Sequence, residues 1–142
     1  MTPQKQLIEH DPENDKWGDC QRTCVAVILD MHASDVPHFC DMSPNRGDKR
    51  PWTQQQDEFL ASLGYAATTF AYHSSLSFDE VMELTSRQNA KTPMILLGKS
   101  NLGCNHVVVV LDGEIACDPS GNGIVGPCIE GTWELTVLAV RS

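Results

Sequence analysis

Apolar positions recur at helical spacing in the first half of the chain and gather into short runs in the second. Cys24, Val25, Ile28 and Leu29 fall on one face of a segment that begins at Asp19 or Cys20 and extends to about Met31. That spacing predicts a helix with a buried stripe, capped at its start by Asp19. Pro37, in Val36-Pro37-His38-Phe39, ends the unit because proline cannot continue a helix interior. The polar run 40–51 predicts an exposed loop. Thr53 and Gln56 have capping-box spacing and Gly64 stands where a helix stop belongs, so a second helix is expected, with Phe59, Leu60 and Leu63 inward. Tyr65 to Tyr72, rich in threonine and aromatics, predicts a strand. Ser77 and Glu80 form another capping pair and open a third helix to about Gln88.

Pro93 to Leu97 has the length and composition of a buried strand. After a loop, His106 to Leu111 and Glu114 to Cys117 predict a hairpin, and Trp133 to Val140 a final strand. Helices first and antiparallel strands last indicate an α+β fold. Residues 1–17 form an irregular leader segment, with a turn at Asp11-Pro12. The 142 residues contain no repeat, low-complexity tract or linker and suit a single domain spanning 1–142.

Composition narrows the function classes. The net charge of -9 argues against nucleic-acid and anionic-membrane partners, since phosphate binding needs clustered Lys and Arg. No run approaches the ~20 apolar residues that span a membrane. Met1 to Gln6 lacks the apolar stretch of an export signal, so a cytoplasmic location with six reduced cysteines is expected.

Two segments carry candidate chemistry. Cys20 stands at the head of the first helix, where the positive end of the macrodipole is expected to favour the thiolate. His106 opens the hairpin and Asp118 follows its second strand, the order of a base and its orienter. Whether they meet depends on the turn. A two-residue turn at Asp112-Gly113 pairs Leu111 with Glu114 and sends His106 and Asp118 to opposite faces. A three-residue loop, Leu111-Asp112-Gly113, pairs Val110 with Glu114 and sets His106 opposite Asp118, with Cβ atoms ~5 Å apart. The three-residue loop is the expectation, with Gly113 at positive φ and Val107, Val109, Leu111, Ile115 and Cys117 in the core.

Other residues have plainer readings. Cys24 and Cys117 belong to the core, and Cys40, Cys104 and Cys128 fall in loops. Cys20, Cys24, Cys104 and His106 are the one zinc-like set, but their spacing is not that of a zinc knuckle, and no metal is expected. His10, His32, His38 and His73 read as surface or local hydrogen-bonding residues, and the acids Asp11, Glu13, Asp15 and Asp19 as a solvated run. Trp17 and Trp52 read as packing residues, although Trp17 lies near enough in sequence to wall a cleft at Cys20.

Asp19-Cys20, Cys24-Val25-Ala26, His106 and Asp118-Pro119 resemble the papain-like peptidases that remove double-glycine leaders from bacteriocins. That family carries Asp-Cys-Gly-x-x-Cys at its nucleophile helix and His, then Asp-Pro, near its end. Asp11-Pro12-Glu13-Asn14, Gly18-Asp19-Cys20, Arg22-Thr23-Cys24 and Asp35-Val36-Pro37-His38-Phe39 are similar to small phage-encoded proteins regarded as papain-like folds. The resemblance touches three regions spread over the chain. It implies a papain-like α+β domain, with the nucleophile helix packed on a C-terminal antiparallel sheet. It also implies thiol hydrolysis of an amide, isopeptide or thioester bond in a peptide or protein, without a cofactor. By residue, it implies Cys20 as nucleophile, His106 as general base, Asp118 as orienter and the Cys20 backbone N–H as one oxyanion donor. Gln21 replaces the family's glycine. The family's glutamine about six residues before the cysteine corresponds to Asn14, and Gln6 is a second candidate if the leader segment folds back. Acyl transfer would use the same residues. The competing class is an inert papain-fold binding protein, such as a phage protein that blocks a host enzyme or defence system in the host cytoplasm.

Overall fold

A computed structural model describes residues 1–141. Three helices, α1 (Cys20–Ile28), α2 (Trp52–Ser62) and α3 (Phe78–Asn89), accompany five strands. The strands are β1 (Tyr65–His73), β2 (Met94–Lys99), β3 (Asn105–Leu111), β4 (Glu114–Cys117) and β5 (Thr132–Val140). They form one antiparallel sheet in the order β1-β5-β2-β3-β4. The fold class is therefore α+β, as the pattern predicts.

The central strands are buried on both faces, which explains why Met94–Leu97 and Val107–Val110 are unbroken apolar runs rather than alternating ones. Ile95, Val107 and Val109 pack with Val25 of α1 and Leu60 of α2. Leu96, Val108 and Val110 pack with Val81 of α3 and Trp133 of β5.

The ends of α1 and α2 depart from expectation. Asp19 occupies the N-cap position of α1 but makes no side-chain cap bond. Its fully buried carboxylate accepts from Ile8 N at 2.8 Å and Arg22 Nε at 2.8 Å, so it is not part of a solvated acidic run. The Thr53–Gln56 box does not form, because α2 starts two residues earlier than a Thr53 cap requires, with Pro51 at the N-cap. Gln56 is buried and accepts from Gln21 Nε2 at 2.7 Å. Trp52 and Leu63, expected to pack, are 39% and 45% exposed. The Ser77–Glu80 box forms as expected, and Gly64 follows α2 with φ +83°.

The hairpin has a two-residue turn, not the expected three-residue loop. Asp112 and Gly113 have φ of 49° and 77°, the pair of positive values a type I′ turn needs. The turn is docked on α3, where Gly113 N donates to Thr85 Oγ1 at 3.1 Å and Ser86 Oγ to Asp112 Oδ1 at 2.8 Å. Leu111 pairs with Glu114 and Val110 with Ile115, but Val109 pairs with Cys117. Ala116 is thus an extra residue, a bulge that shifts the register by one. Ile115 consequently pairs with Val110 rather than lying across from Val109, and is 39% exposed on the edge strand; Leu111 is only half-buried.

Candidate active site

The bulge decides the site. A two-residue turn alone separates His106 and Asp118, and one extra residue at Ala116 returns them to one face. His106 Nε2 donates to Asp118 Oδ1 at 2.7 Å, and His106 is buried. The expected neighbours are brought together by a different device from the expected loop.

The loop after β4 is built around the Asp118 carboxylate. Gly121 and Gly123, at φ +77° and +72°, let the chain curl so that Gly121 N donates to Oδ1 at 3.0 Å and Gly123 N to Oδ2 at 2.8 Å. Burial raises the Asp118 pKa, but the His106 hydrogen bond and these two amides outweigh it and hold the carboxyl below its ordinary value. The carboxylate accepts only, so Nε2 carries the proton and Nδ1 is bare when the ring is neutral. Beyond the loop, Val125 N donates to Lys99 O and Lys99 N to Gly126 O, both at 2.8 Å. Gly98, the partner of His106 in β2, makes this crossing possible: a Cβ there would lie 2.6 Å from Ile124 Cγ2 and 2.8 Å from Gly126 O.

Cys20 is half-buried at the head of α1. Its sulfur lies against the Val107 N–H, in the peptide that joins His106 to Val107. The expected lowering of its pKa is not found. Burial, joined by the negative charge of Asp19, pushes the thiol up to about 11 against the Val107, Cys20 and Gln21 amides. Among the described residues, no hydrogen bond joins the Cys20 thiol to His106. Cys24 and Cys117 are buried as expected, and Cys128, assigned to a loop, is buried there. All six cysteines are free.

The leader segment folds back over this region. Gln6 N donates to Pro119 O at 3.0 Å, beside Asp118. The Gln6 side chain donates to Ile8 O at 2.8 Å, lies near Gly18, and keeps a buried Oε1 without a partner. Asn14 is in an exposed turn with its amide donated to Asp11 Oδ2 at 2.7 Å, away from the thiol. Trp17 is half-buried, edge-on to His10 with ring centroids 5.5 Å apart, and its carbonyl accepts from His38 Nε2 at 2.7 Å. It lines a cavity of about 580 Å³ with Leu7, Glu9, Asp15, His38 and Asp41, and this cavity includes none of Cys20, His106 and Asp118. His38 thus bonds across 21 residues rather than locally.

The sequence reading missed Ser120, whose Oγ lies 3.0 Å from His106 Nε2, and the amides of Gly121 and Gly123. The signal was present in Asp118-Pro119-Ser120-Gly121-Asn122-Gly123, a turn cluster led by an aspartate able to bond the amides after it. Among the described residues, no group of three or more His, Cys, Asp or Glu is placed to hold a metal, and Cys104 is instead 3.4 Å from Ser100 Oγ. No described helix is long and apolar enough to cross a membrane. In comparison with known proteins, no family model, curated protein or solved structure matches the chain.

Proposed function

We propose that the protein is a papain-like thiol hydrolase acting on an amide, isopeptide or thioester bond of a peptide or protein. The observation that carries this reading is the 2.7 Å bond from His106 Nε2 to Asp118 Oδ1, with the Cys20 sulfur against the adjoining Val107 amide. His106 Nδ1 takes the Cys20 proton as the sulfur attacks the carbonyl carbon. The imidazolium then protonates the leaving amine or thiol, giving an acyl-thioester at Cys20. Water, deprotonated by His106, releases the acid and restores the thiol. Ligand-free catalytic contacts are often long and tighten only when substrate is bound, so the unmade Cys20–His106 bond is compatible with this sequence. The Cys20 N–H and the Gln6 amide are the oxyanion donors; Gln6 is favoured over Asn14 because it lies beside Pro119 and Gly18. Six free thiols support a reducing cytoplasm, that of the host if the chain is phage-encoded.

The burial that raises the Cys20 thiol favours a second reading, an inert papain-fold binding protein. Brief iodoacetamide treatment near neutral pH, with mass mapping, separates the two. The hydrolase reading expects Cys20 to alkylate before the other five cysteines and to slow at least ~10-fold in His106→Ala. First modification at another cysteine, or no effect of His106→Ala, supports the binder and overturns the hydrolase.

A further inference from the structure

Ser120 has no place in the mechanism above, yet its hydroxyl is among the best-connected atoms of the site. Its Oγ lies 3.0 Å from His106 Nε2 and 3.4 Å from Asp118 Oδ1, and accepts from Asn122 N at 3.1 Å. Its own N–H points to Asp118 Oδ1 at 3.3 Å. A serine this close to a histidine invites reading as a nucleophile, and the proton count rules that out. Nε2 has one proton and donates it to a carboxylate that cannot donate back, so it has no lone pair with which to take the Ser120 proton. The hydroxyl is instead a second acceptor for the Nε2 proton, with Asn122 N–H on its other lone pair and its own hydrogen free for Asp118.

We propose that Ser120 is a positioning residue for His106. With Asp118, whose carboxylate sets the Nε2–H tautomer, it forms a two-point seat at Nε2 that fixes the ring's rotation. The Asn122 amide holds the hydroxyl in place. This inference rests on the thiol-hydrolase reading for its purpose, but the seat itself is tested without it.

The imidazole Nε2–H of ¹⁵N-labelled protein reports the seat through its rate of exchange with water, and His106→Gln assigns the signal. The expected result is a slowly exchanging His106 Nε2–H in the native chain, exchange about 3- to 10-fold faster in Ser120→Ala, the worth of one hydrogen bond, and recovery in Ser120→Thr, which keeps the hydroxyl. Ser120→Cys, close in shape but a weak hydrogen-bonder, should behave like Ser120→Ala and serves if that variant does not fold. Iodoacetamide modification of Cys20 should slow about 3- to 10-fold in Ser120→Ala, the worth of one hydrogen bond, and recover in Ser120→Thr. An unchanged His106 Nε2–H exchange rate in folded Ser120→Ala or Ser120→Cys overturns the proposal. If His106→Ala leaves Cys20 reactivity unchanged, the hydrolase reading fails, while the exchange rates still decide the role of Ser120.

Discussion

Two residues at the site show opposing influences settled by magnitude. At Cys20, a helix N-terminus contributes ~0.3–1 kcal/mol towards the thiolate, too little to offset the burial that lifts the thiol from 9.0 to about 11. A helix head is legible in sequence; the depth at which it is buried is not, and the expectation failed for that reason. At Asp118 the balance reverses. Burial disfavours the charge, but His106 and the Gly121 and Gly123 amides win. A carboxyl held below its ordinary value contributes stability that is fully present above the unfolded value near ~3.9 and is lost as pH falls through the lower folded value. Asp118→Asn should therefore be less stable than the native chain at pH 7 and should converge on it in acid. Urea unfolding at pH 7, 5 and 3 tests this, and a gap constant across that range contradicts it.

Among the elements, the β3–β4 hairpin carries most of what positions the site. Gly113 has φ +77°, and a Cβ there would meet Ser86 Cβ at 3.3 Å and Met82 O at 3.4 Å. A β-branched residue meets both the backbone penalty and α3. Gly113→Val should cost about 1–3 kcal/mol and, by shifting the register that brings Asp118 to His106, lower any activity. Equal urea midpoints for the two proteins count against this account of the turn. The same hairpin marks how much was legible. Asp112-Gly113 announces a turn, the apolar runs announce central strands, and Ser77 with Glu80 announces the start of α3. Ala116 announces nothing, because a bulge is set by how β4 must bend past β3, and alanine has no local preference for it. The pairing of His106 with Asp118 was thus expected through the wrong turn. The failed cap at Thr53 has a similar cause: Gln56 is drawn inward by Gln21, a partner 35 residues away.

At the scale of the whole molecule, the N-terminal segment ties the two ends of the site together, and Asp19 is its anchor. Gln4 bonds both sides of the turn after α1, through Nε2 to Met31 O at 2.7 Å and through Oε1 from Ala33 N at 3.0 Å. Cys117 Sγ donates to Gln4 O at 3.3 Å, Gln6 N meets Pro119, and Ile8 N ends on Asp19. The segment therefore runs back along α1, between that helix and the end of β4, and passes the loop that holds Asp118. Asp19 joins it to the helix through a carboxylate with no exposed surface, whose other oxygen pairs with Arg22; Arg22 reaches on to Val36 O at 3.2 Å. Breaking a buried pair on one side leaves the other charge uncompensated, which typically costs more than the pair is worth. Asp19→Asn keeps the shape and one acceptor but removes the charge facing Arg22, while Asp19→Ala removes both bonds. Stability should fall by about 1–3 kcal/mol in the first and by about 3 kcal/mol or more in the second. The loss should be accompanied by faster amide exchange at Gln6 and Ile8, because their acceptors belong to this one arrangement. Amide exchange read residue by residue checks the coupling. If Ile8 exchanges faster while Gln6 keeps its native rate, the segment is held at independent points, and Asp19 does not anchor the part that lies against Pro119.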